Sequence, residues 1–241
     1  MGVEAEQSLV ERGVYCVRNS QYFSSNTYVV KSAESNFCFV VDPGLDGSLL
    51  EEYIDTHSLE PKLVVCTHGH FDHIGSASLL KKKYGARIAI HSKDLPLVKG
   101  SNFLMMAFKV KTRIDLPKFD VMIKEEKGIV EFEGQEIIFE QTPGHSGGSC
   151  VIKYQDVVFT GDTLYSHGVG LVSLPGENVD KLMSSLFLLW QSLPEDSLVC
   201  PGHGGPDVFS RIKSENSALK ELLHDFDLEN AGEKEPVGRM S

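Results

Sequence analysis

Seven histidine and aspartate side chains in this sequence have the types and the spacing of a metal site. Four of them lie in one segment, Thr67-His68-Gly69-His70-Phe71-Asp72-His73, and three follow singly in later loops. The full set is His68, His70, Asp72, His73, His145, Asp162 and His203. Imidazole nitrogen and carboxylate oxygen, with no cysteine among them, suit zinc, iron or manganese, and zinc is the commonest of these in hydrolases. The pattern predicts a metalloenzyme.

Each single ligand, like the four-residue segment, follows a short apolar run typical of a buried strand. The runs are Leu63–Cys66, Ile137–Gln141, Val157–Thr160 and Ser197–Cys200, which precede His68, His145, Asp162 and His203 respectively. Loops at strand ends on a rigid scaffold are the usual place for a site. Pro143-Gly144, Gly161 and Pro201-Gly202 allow the tight backbone turns that direct a ligand inward.

The order of strand-like and helix-like segments indicates an α/β fold. The predicted strands are Gly13–Val17, Asn26–Lys31, Phe37–Asp42, Leu63–Thr67, Arg87–His91, Gly128–Glu133, Gln135–Gln141, Cys150–Tyr154, Val157–Thr160 and Ser197–Cys200. The predicted helices are Leu45–His57, a segment from just after His73 to Tyr84, Val179–Leu193 and Val208–His224. Two β-rich halves, each followed by helices, predict an αββα sandwich of two mixed β-sheets flanked by helices.

The length and composition predict one domain. The 241 residues and the 41% hydrophobic content are enough for a sizeable core. We expect a single domain over residues 1–228, an inserted apolar and basic segment at about residues 100–120, and a flexible tail over residues 229–241.

The composition also restricts the partners and the compartment. The 34 Asp and Glu residues outnumber the 23 Lys and Arg residues, giving a net charge of -11. This balance argues against nucleic acid and anionic membranes as partners, but an anionic small substrate remains compatible because bound divalent cations would dominate the local field. We expect no membrane span, since the most apolar stretch, Leu182–Trp190, is too short. Five scattered cysteines predict reduced, buried thiols in a cytoplasmic protein.

The ligand pattern resembles that of the metallo-β-lactamase superfamily, and is most similar to its glyoxalase II-like hydrolases. The matching segments are His68–His73, Thr142–Ser146, Phe159–Leu164 and Pro201–Gly204, within a resemblance that runs from about Tyr15 to Pro206. The resemblance implies the αββα fold. It also implies that one metal is held by His68, His70 and His145, a second by Asp72, His73 and His203, and that Asp162 bridges both.

The resemblance further implies a hydrolase with two zinc ions per chain, with iron or manganese as alternatives. A water that bridges two divalent ions loses a proton near neutral pH and becomes a hydroxide nucleophile. The substrate carbonyl, polarised by one ion, would be attacked to give an oxyanion that the ion stabilises. Asp72 would orient the hydroxide and help move its proton, and Asp162 would hold the metal spacing. These two residues are the predicted catalytic carboxylates.

Five further residues are candidates for substrate binding. Tyr165 and His167, just after Asp162, could supply a hydrogen-bond donor and a stacking surface, or could simply fill the loop. Leu171 stands where glyoxalase II carries a lysine that helps hold glutathione. Phe103 and Met106 belong to the inserted segment and would form an adaptable wall against an apolar ligand.

The inserted segment has other interpretations. Its apolar block is followed by Lys109, Lys111 and Arg113, which could meet an anionic headgroup. The segment could instead pack on the core or form the contact of a homodimer.

Single positions separate the branches of the superfamily. Asp162 stands where lactam-cleaving members typically carry cysteine, which disfavours a β-lactamase. We predict hydrolysis of an activated acyl bond, a thioester or lactone with an apolar acyl part, because a thioester carbonyl is weakly stabilised and its thiolate leaves readily. The alternative is an iron-dependent persulfide dioxygenase, which would hold one ion with His68, His145 and Asp162. A binding protein on an inactive scaffold is disfavoured by the complete ligand set.

Overall fold

Two six-stranded β-sheets form the centre of the structure, a computed structural model that describes residues 3–18, 23–170, 174 and 176–232. The first sheet contains β1 (Val14–Arg18), β2 (Asn26–Lys31), β3 (Phe37–Val41), β4 (Glu60–Val65), β5 (Arg87–His91) and β6 (Val121–Ile123). These strands follow chain order across the sheet. The pairs β1–β2 and β2–β3 are antiparallel, and the pairs from β3 to β6 are parallel.

The second sheet faces the first and is mostly antiparallel. It contains β7 (Lys127–Phe132), β8 (Gln135–Gln141), β9 (Cys150–Tyr154), β10 (Val157–Gly161), β13 (Leu198–Pro201) and β14 (Asp207–Val208). Between β10 and β13 in the chain, β11 (Leu164–Tyr165) and β12 (Gly168–Val169) form a separate two-stranded sheet. The order across the sheet is β14-β13-β10-β9-β8-β7, in which β10 and β13 are parallel. Both sheets are therefore mixed, as predicted.

Helices cover the outer faces of both sheets. They are α1 (Val3–Glu11), α2 (Gly47–Thr56), α3 (Phe71–Ile74), α4 (Ala77–Tyr84), α5 (Leu95–Ala107), α6 (Val179–Ser192), α7 (Phe209–Glu215) and α8 (Ser217–Gly232). Apolar residues of α2 and α4 pack on the first sheet, and those of α6, α7 and α8 pack on the second. The layers form the αββα sandwich that the order of elements predicts.

The side chains of each strand are divided between the central core and an outer layer. In β3, Phe39 and Val41 face the other sheet, whereas Cys38 and Val40 face α2 and α4. This alternation is the period of two of a β-strand. Since both faces are covered, the strand reads as a continuous apolar run. Phe39 meets Phe159 of the opposite sheet edge to face, with ring centroids 6.4 Å apart.

Several predicted helix boundaries were wrong. The helix expected after His73 begins at Phe71, so the short helix α3 itself carries Asp72 and His73, and a break precedes α4. The closing helix expected over Val208–His224 is divided at Asn216. The side chain of Asn216 accepts a hydrogen bond from the backbone of Leu219 and donates to the β11–β12 hairpin, so it ends one helix and starts the next.

The inserted segment is only partly irregular. Its first part lies in α5, a helix that the sequence did not predict, and its second part is a loop without regular structure up to β6. The predicted tail begins inside α8, and residues 233–241 lie outside the described residues. Among the residues that the structure describes, no helix has the length and apolar character needed to cross a membrane.

Candidate metal centre

All seven candidate ligands meet at one end of the sandwich, where strands of both sheets end. His68 and His70 follow β4, and the turn α3 then presents Asp72 and His73. The other three ligands follow β8, β10 and β13 and are His145, Asp162 and His203. Six of the seven are buried, and the side chain of His203 is 26% exposed.

Three histidine rings converge in a first triad. Nε2 of His68 and Nε2 of His145 lie 3.0 Å and 2.9 Å from Nδ1 of His70. The three rings are nearly perpendicular to one another, with centroids 4.7 to 4.9 Å apart. The three nitrogens are close enough together to hold one metal ion.

A second triad lies beside the first. Nε2 of His73 lies 3.4 Å from Nε2 of His203 and 3.7 Å from Oδ2 of Asp72. The same carboxylate oxygen lies 3.6 Å from Nε2 of His203. These three side chains could also hold one ion, and the two triads coincide with the two sets that the resemblance implies.

Asp162 lies between the two triads. Its Oδ2 is 3.5 Å from Nε2 of His145 in the first triad and 3.3 Å from Nε2 of His203 in the second. Its Oδ1 lies 3.4 Å from Nε2 of His73 and, among the described residues, has no hydrogen-bond partner although it is buried. One carboxylate is thus placed to contact an ion in either triad.

Each of three candidate histidine ligands has one ring nitrogen that faces away from the cluster, and the hydrogen bonds of these nitrogens test whether the cluster fits a metal. Nδ1 of His73 faces Oδ2 of Asp42 at 3.0 Å, and Nδ1 of His145 faces the carbonyl oxygen of Gly170 at 3.0 Å. Nδ1 of His68 lies 3.0 Å from the hydroxyl of Thr67, which itself donates to Asp42. Because oxygen acceptors take the protons of these Nδ1 atoms, the Nε2 lone pairs all point into the cluster. Such converging lone pairs need a cation, so the residues fit a metal site.

Burial keeps the first triad ready to bind a cation. Desolvation lowers the pKa of His70 to about 3 and holds the pKa of His68 well below its usual value. Both rings are therefore neutral at neutral pH, which is the form that binds metal. Burial also raises the pKa of Asp72. For Asp162 burial would raise the pKa, but the neighbouring imidazoles, His73 first, outweigh it and hold the pKa well below its usual value.

Asp42 is a buried carboxylate that the sequence predicted only as the end of a strand. It lies directly after β3 with a positive φ of 49°, a conformation that is uncommon for residues other than glycine. Its oxygens accept hydrogen bonds from the backbone N–H of Thr67 at 2.7 Å, from the hydroxyl of Thr67 at 2.6 Å and from His73. Asp42 therefore fixes the start of the loop that carries four ligands.

Asp94 is a second buried carboxylate that sequence reasoning missed. It accepts hydrogen bonds from the backbone of Gly69 at 2.8 Å and from the hydroxyl of Ser146 at 2.7 Å. A third bond comes from the backbone of Gly148 at 2.6 Å. Gly69 lies between two ligands of the first triad, and Ser146 follows the third. Asp94 therefore joins the two loops that build this triad, and no motif in the sequence signalled it.

An apolar cavity of about 400 Å³ opens onto the cluster. Its polar lining consists of His70, Asp72, His145, Asp162, Tyr165 and His203. Its apolar walls are formed by Phe23, Phe71, Leu104, Phe108 and Leu174. Three of these rings pack edge to face, since the ring of Phe23 lies 5.3 Å from that of Phe71 and 5.5 Å from that of Phe108. The cavity suits a ligand with one apolar part and one polar group at the metal ligands.

The candidate substrate residues lie in different places. Tyr165 lines the cavity, with its ring 6.0 Å from that of His203. His167 is exposed and is not among the described residues that line the cavity. Phe103 and Met106 are 71% and 61% exposed, on the outer side of α5. Leu104 and Phe108, which are neighbours of these two residues in the same segment, line the cavity in their place. Leu171 lies outside the described residues.

Comparisons with known proteins agree with this geometry. Residues 21–203 match the family described as the metallo-beta-lactamase superfamily. The probable metallo-hydrolase YqgX of Bacillus subtilis is 32% identical over 190 residues, which cover 75% of this chain and 85% of that protein. The hydroxyacylglutathione hydrolase GloC of Haemophilus influenzae is 28% identical over 206 residues, covering 82% and 93%. The crystal structure of TTHA1623 in a di-iron-bound form is 30% identical, with a TM-score of 0.73, and the match covers 84% of this chain and 98% of that one.

The chain therefore belongs to the metallo-beta-lactamase superfamily, and it has the fold of that superfamily. It is a metal-dependent hydrolase with clusters of histidine and aspartate that suit a dinuclear metal site.

Proposed function

We propose that this protein hydrolyses an activated acyl bond, a thioester or a lactone with an apolar acyl part, using two divalent ions, with zinc as the favoured metal. The observation that carries the proposal is the apolar cavity whose one polar wall is the ligand cluster. An acyl chain in this cavity would place its carbonyl against Asp72 and Asp162. Similarity to a hydroxyacylglutathione hydrolase, a thioester-cleaving enzyme by its name, supports the same reaction class.

The seven proposed ligands are His68, His70 and His145 for one ion, Asp72, His73 and His203 for the other, and Asp162 for both. Two divalent ions, when bound, would lower the pKa of a shared water and polarise the acyl carbonyl. All other contributions come from the side chains of the chain itself. Asp162 would set the separation of the two triads because its Oδ2 faces His145 of the first triad and His203 of the second, while its Oδ1 faces His73.

Asp72 is the candidate proton acceptor of the site. It lines the cavity at the polar wall, and burial raises the pKa of its carboxyl group. Its backbone carbonyl accepts a hydrogen bond of 2.7 Å from the hydroxyl of Ser25, which holds the start of α3 in place. A carboxylate that lines the cavity at the polar wall would face the attacking water, as a general base must.

The apolar walls and Tyr165 would position the substrate. Phe23, Phe71 and Phe108 enclose the acyl part and exclude water from it, which strengthens electrostatic contacts at the carbonyl. Tyr165 lines the cavity together with Asp72 and Asp162, and its ring lies 6.0 Å from that of His203. It is therefore a candidate donor to the oxyanion as the tetrahedral carbon forms.

Elemental analysis of purified protein together with a substrate panel tests the proposal. The panel contains octanoyl and acetyl thioesters of N-acetylcysteamine, a long-chain lactone and a β-lactam, with oxygen consumption followed in parallel on a persulfide. We expect about two divalent ions per chain and hydrolysis of the octanoyl thioester or the lactone well above the β-lactam. Oxygen uptake with one iron per chain, and no acyl hydrolysis, would instead identify a dioxygenase.

A further inference from the structure

Three cationic side chains lie in the short stretch of sequence that follows Phe108, a residue of the cavity wall. In the part of the chain that the structure describes, none of the three has an acidic partner. Lys109, Lys111 and Arg113 are all exposed. On the neighbouring helix α4, by contrast, each lysine pairs with a carboxylate: Lys81 with Asp120, Lys82 with Asp115, and Lys83 with Glu51 and Asp55. In a chain with a net charge of -11, a group of unpaired cations is a local departure from the average surface.

The loop that carries these cations is fixed against the protein. The side-chain amide of Asn102 in α5 donates to the carbonyl oxygen of Ile114 and accepts from its N–H, both at 3.0 Å. Between these points Val110 is buried in a small cluster with Phe71 and Met105. Since the loop is held at Val110 and at Ile114, its exposed side chains can occupy only a limited volume. Such a fixed loop loses less conformational entropy when a ligand binds.

The same loop borders the cavity. Phe108, directly before Lys109, lines the cavity, and its ring lies 6.3 Å from that of Phe71. Phe71 stands between the candidate ligands His70 and Asp72. Lys109 therefore directly follows a wall residue of a pocket that suits an apolar acyl chain. Lys111 and Arg113 come further along the same loop, and Arg113 lines a second cavity together with Asp46 and Asp115.

We propose that Lys109, Lys111 and Arg113 bind phosphate groups on the thiol portion of the substrate, so that the substrate is an acyl thioester of a phosphorylated thiol such as coenzyme A. This inference rests on the proposed thioester hydrolysis. Phosphate oxygens match both the guanidinium group and lysine ammonium groups. Several clustered cations favour a multiply charged group over the single net charge of glutathione.

A pair of charge reversals tests the phosphate site. The variant Lys111→Glu/Arg113→Glu is compared with Arg87→Glu/Lys124→Glu, which makes the same change in net charge at exposed residues that do not line the cavity. The substrates are octanoyl coenzyme A, octanoyl glutathione and the octanoyl thioester of N-acetylcysteamine, which carries no anionic group. Each kcat/KM is measured at about 0.02 M and 0.5 M salt.

We expect wild type to prefer octanoyl coenzyme A to both other thioesters at low salt. The Lys111→Glu/Arg113→Glu variant should lose about tenfold or more of kcat/KM for octanoyl coenzyme A, since steering by charge changes association by about 10- to 1000-fold. Activity on the uncharged thioester should stay within about twofold. High salt should reduce the difference between variant and wild type, because exposed charges are screened.

Other outcomes would overturn the inference. An equal loss on all three thioesters would indicate a structural effect of the loop, and an equal loss in the control variant would indicate only the overall field of the protein. A wild-type preference for the glutathione thioester would assign a different carrier. Hydrolysis of the uncharged thioester without any preference would remove the phosphate site and leave the proposed function standing. No hydrolysis of any thioester would remove the phosphate site and the proposed thioester reaction together, and would leave only lactone hydrolysis.

Discussion

The ring of His73 donates through Nδ1 to Oδ2 of Asp42 over 3.0 Å, and both side chains are fully buried. This bond fixes the tautomer of His73, so that its Nε2 lone pair faces Asp72, Asp162 and His203. The strand β3 thereby sets the orientation of a candidate ligand on a different element, α3.

The first prediction concerns this bond. In Asp42→Asn the amide group would turn an N–H toward a group that is itself a donor, either His73 or Thr67. We expect metal affinity to fall by about 10- to 100-fold, the usual effect of losing a partner behind a ligand. Competition with a chromophoric chelator measures it. The control Asp55→Asn removes a carboxylate that pairs with Lys83 at the surface, and an equal affinity in both variants would contradict the role of Asp42.

A second prediction concerns the connection between the two loops of the first triad. Asp94→Asn retains one oxygen, but its amide group would face a donor from Gly69, Ser146 or Gly148. We expect a loss of metal affinity of about tenfold or more, with the first ion affected most. Asp120→Asn is the matched control, since Asp120 also accepts a backbone N–H, from Ile88. If the two variants bound metal equally well, Asp94 would have only a general structural role.

The third prediction is a pH dependence of the metal-free protein. Burial lowers the pKa of His70 to about 3, whereas in the unfolded chain it is about 6.5. Between these values the unfolded chain binds a proton that folded His70 does not, so this group makes stability fall as the pH falls from about 6.5 toward 3. The slope contribution is at most about 1.4 kcal/mol per pH unit.

Urea denaturation of chelator-treated protein between about pH 4.5 and pH 7 measures this slope. His70→Gln should show a shallower decline than wild type, because the variant has no ring to protonate. His57→Gln, at an exposed histidine, should keep the wild-type slope. A wild-type slope in His70→Gln would show that His70 does not carry the effect.

A fourth prediction concerns the acyl cavity. Leu104→Ala and Phe108→Ala remove parts of its apolar wall. We expect kcat/KM for an octanoyl thioester to fall by about tenfold, and for an acetyl thioester by less than about threefold, because the lost contact concerns only the longer chain. Phe103→Ala and Met106→Ala should have smaller effects, since these side chains are largely exposed. Leu188→Ala on α6 is a control at another exposed apolar residue. Equal losses on both substrates would contradict the proposed acyl cavity.

Much of the fold could be predicted from the sequence because local patterns and global structure agree. The apolar runs ending at His68, Asp162 and His203 became strands, since residues buried on both faces of a sheet leave a continuous hydrophobic signal. The same strand ends then bring the seven candidate ligands together. Their grouping into two triads with Asp162 between them was implied by the resemblance, and their role as metal ligands stays a prediction.

What could not be predicted depends on contacts between distant residues. Asp42 and Asp94 meet partners 25 to 54 positions away, and a single buried aspartate leaves no periodic signal. Helix α5 was missed because it has apolar residues on both its buried side, at Val98 and Met105, and its exposed side, at Phe103 and Met106. Without a contrast between two faces, the pattern of an amphipathic helix is lost. The substrate role of Phe103 was assigned from composition alone, which cannot give the direction of a side chain.

The central claim is that Asp162 joins two metal ions into one hydrolytic site. Elemental analysis of purified wild type and Asp162→Ala, with acyl hydrolysis measured on the same samples, tests it most directly. The control Asp180→Ala changes an exposed carboxylate in the first turn of α6. We predict about two ions per chain in wild type and in the control, and at most one ion with no hydrolysis in Asp162→Ala. Two ions and retained turnover in Asp162→Ala, or full wild-type activity after complete removal of metal by a chelator, would contradict the claim.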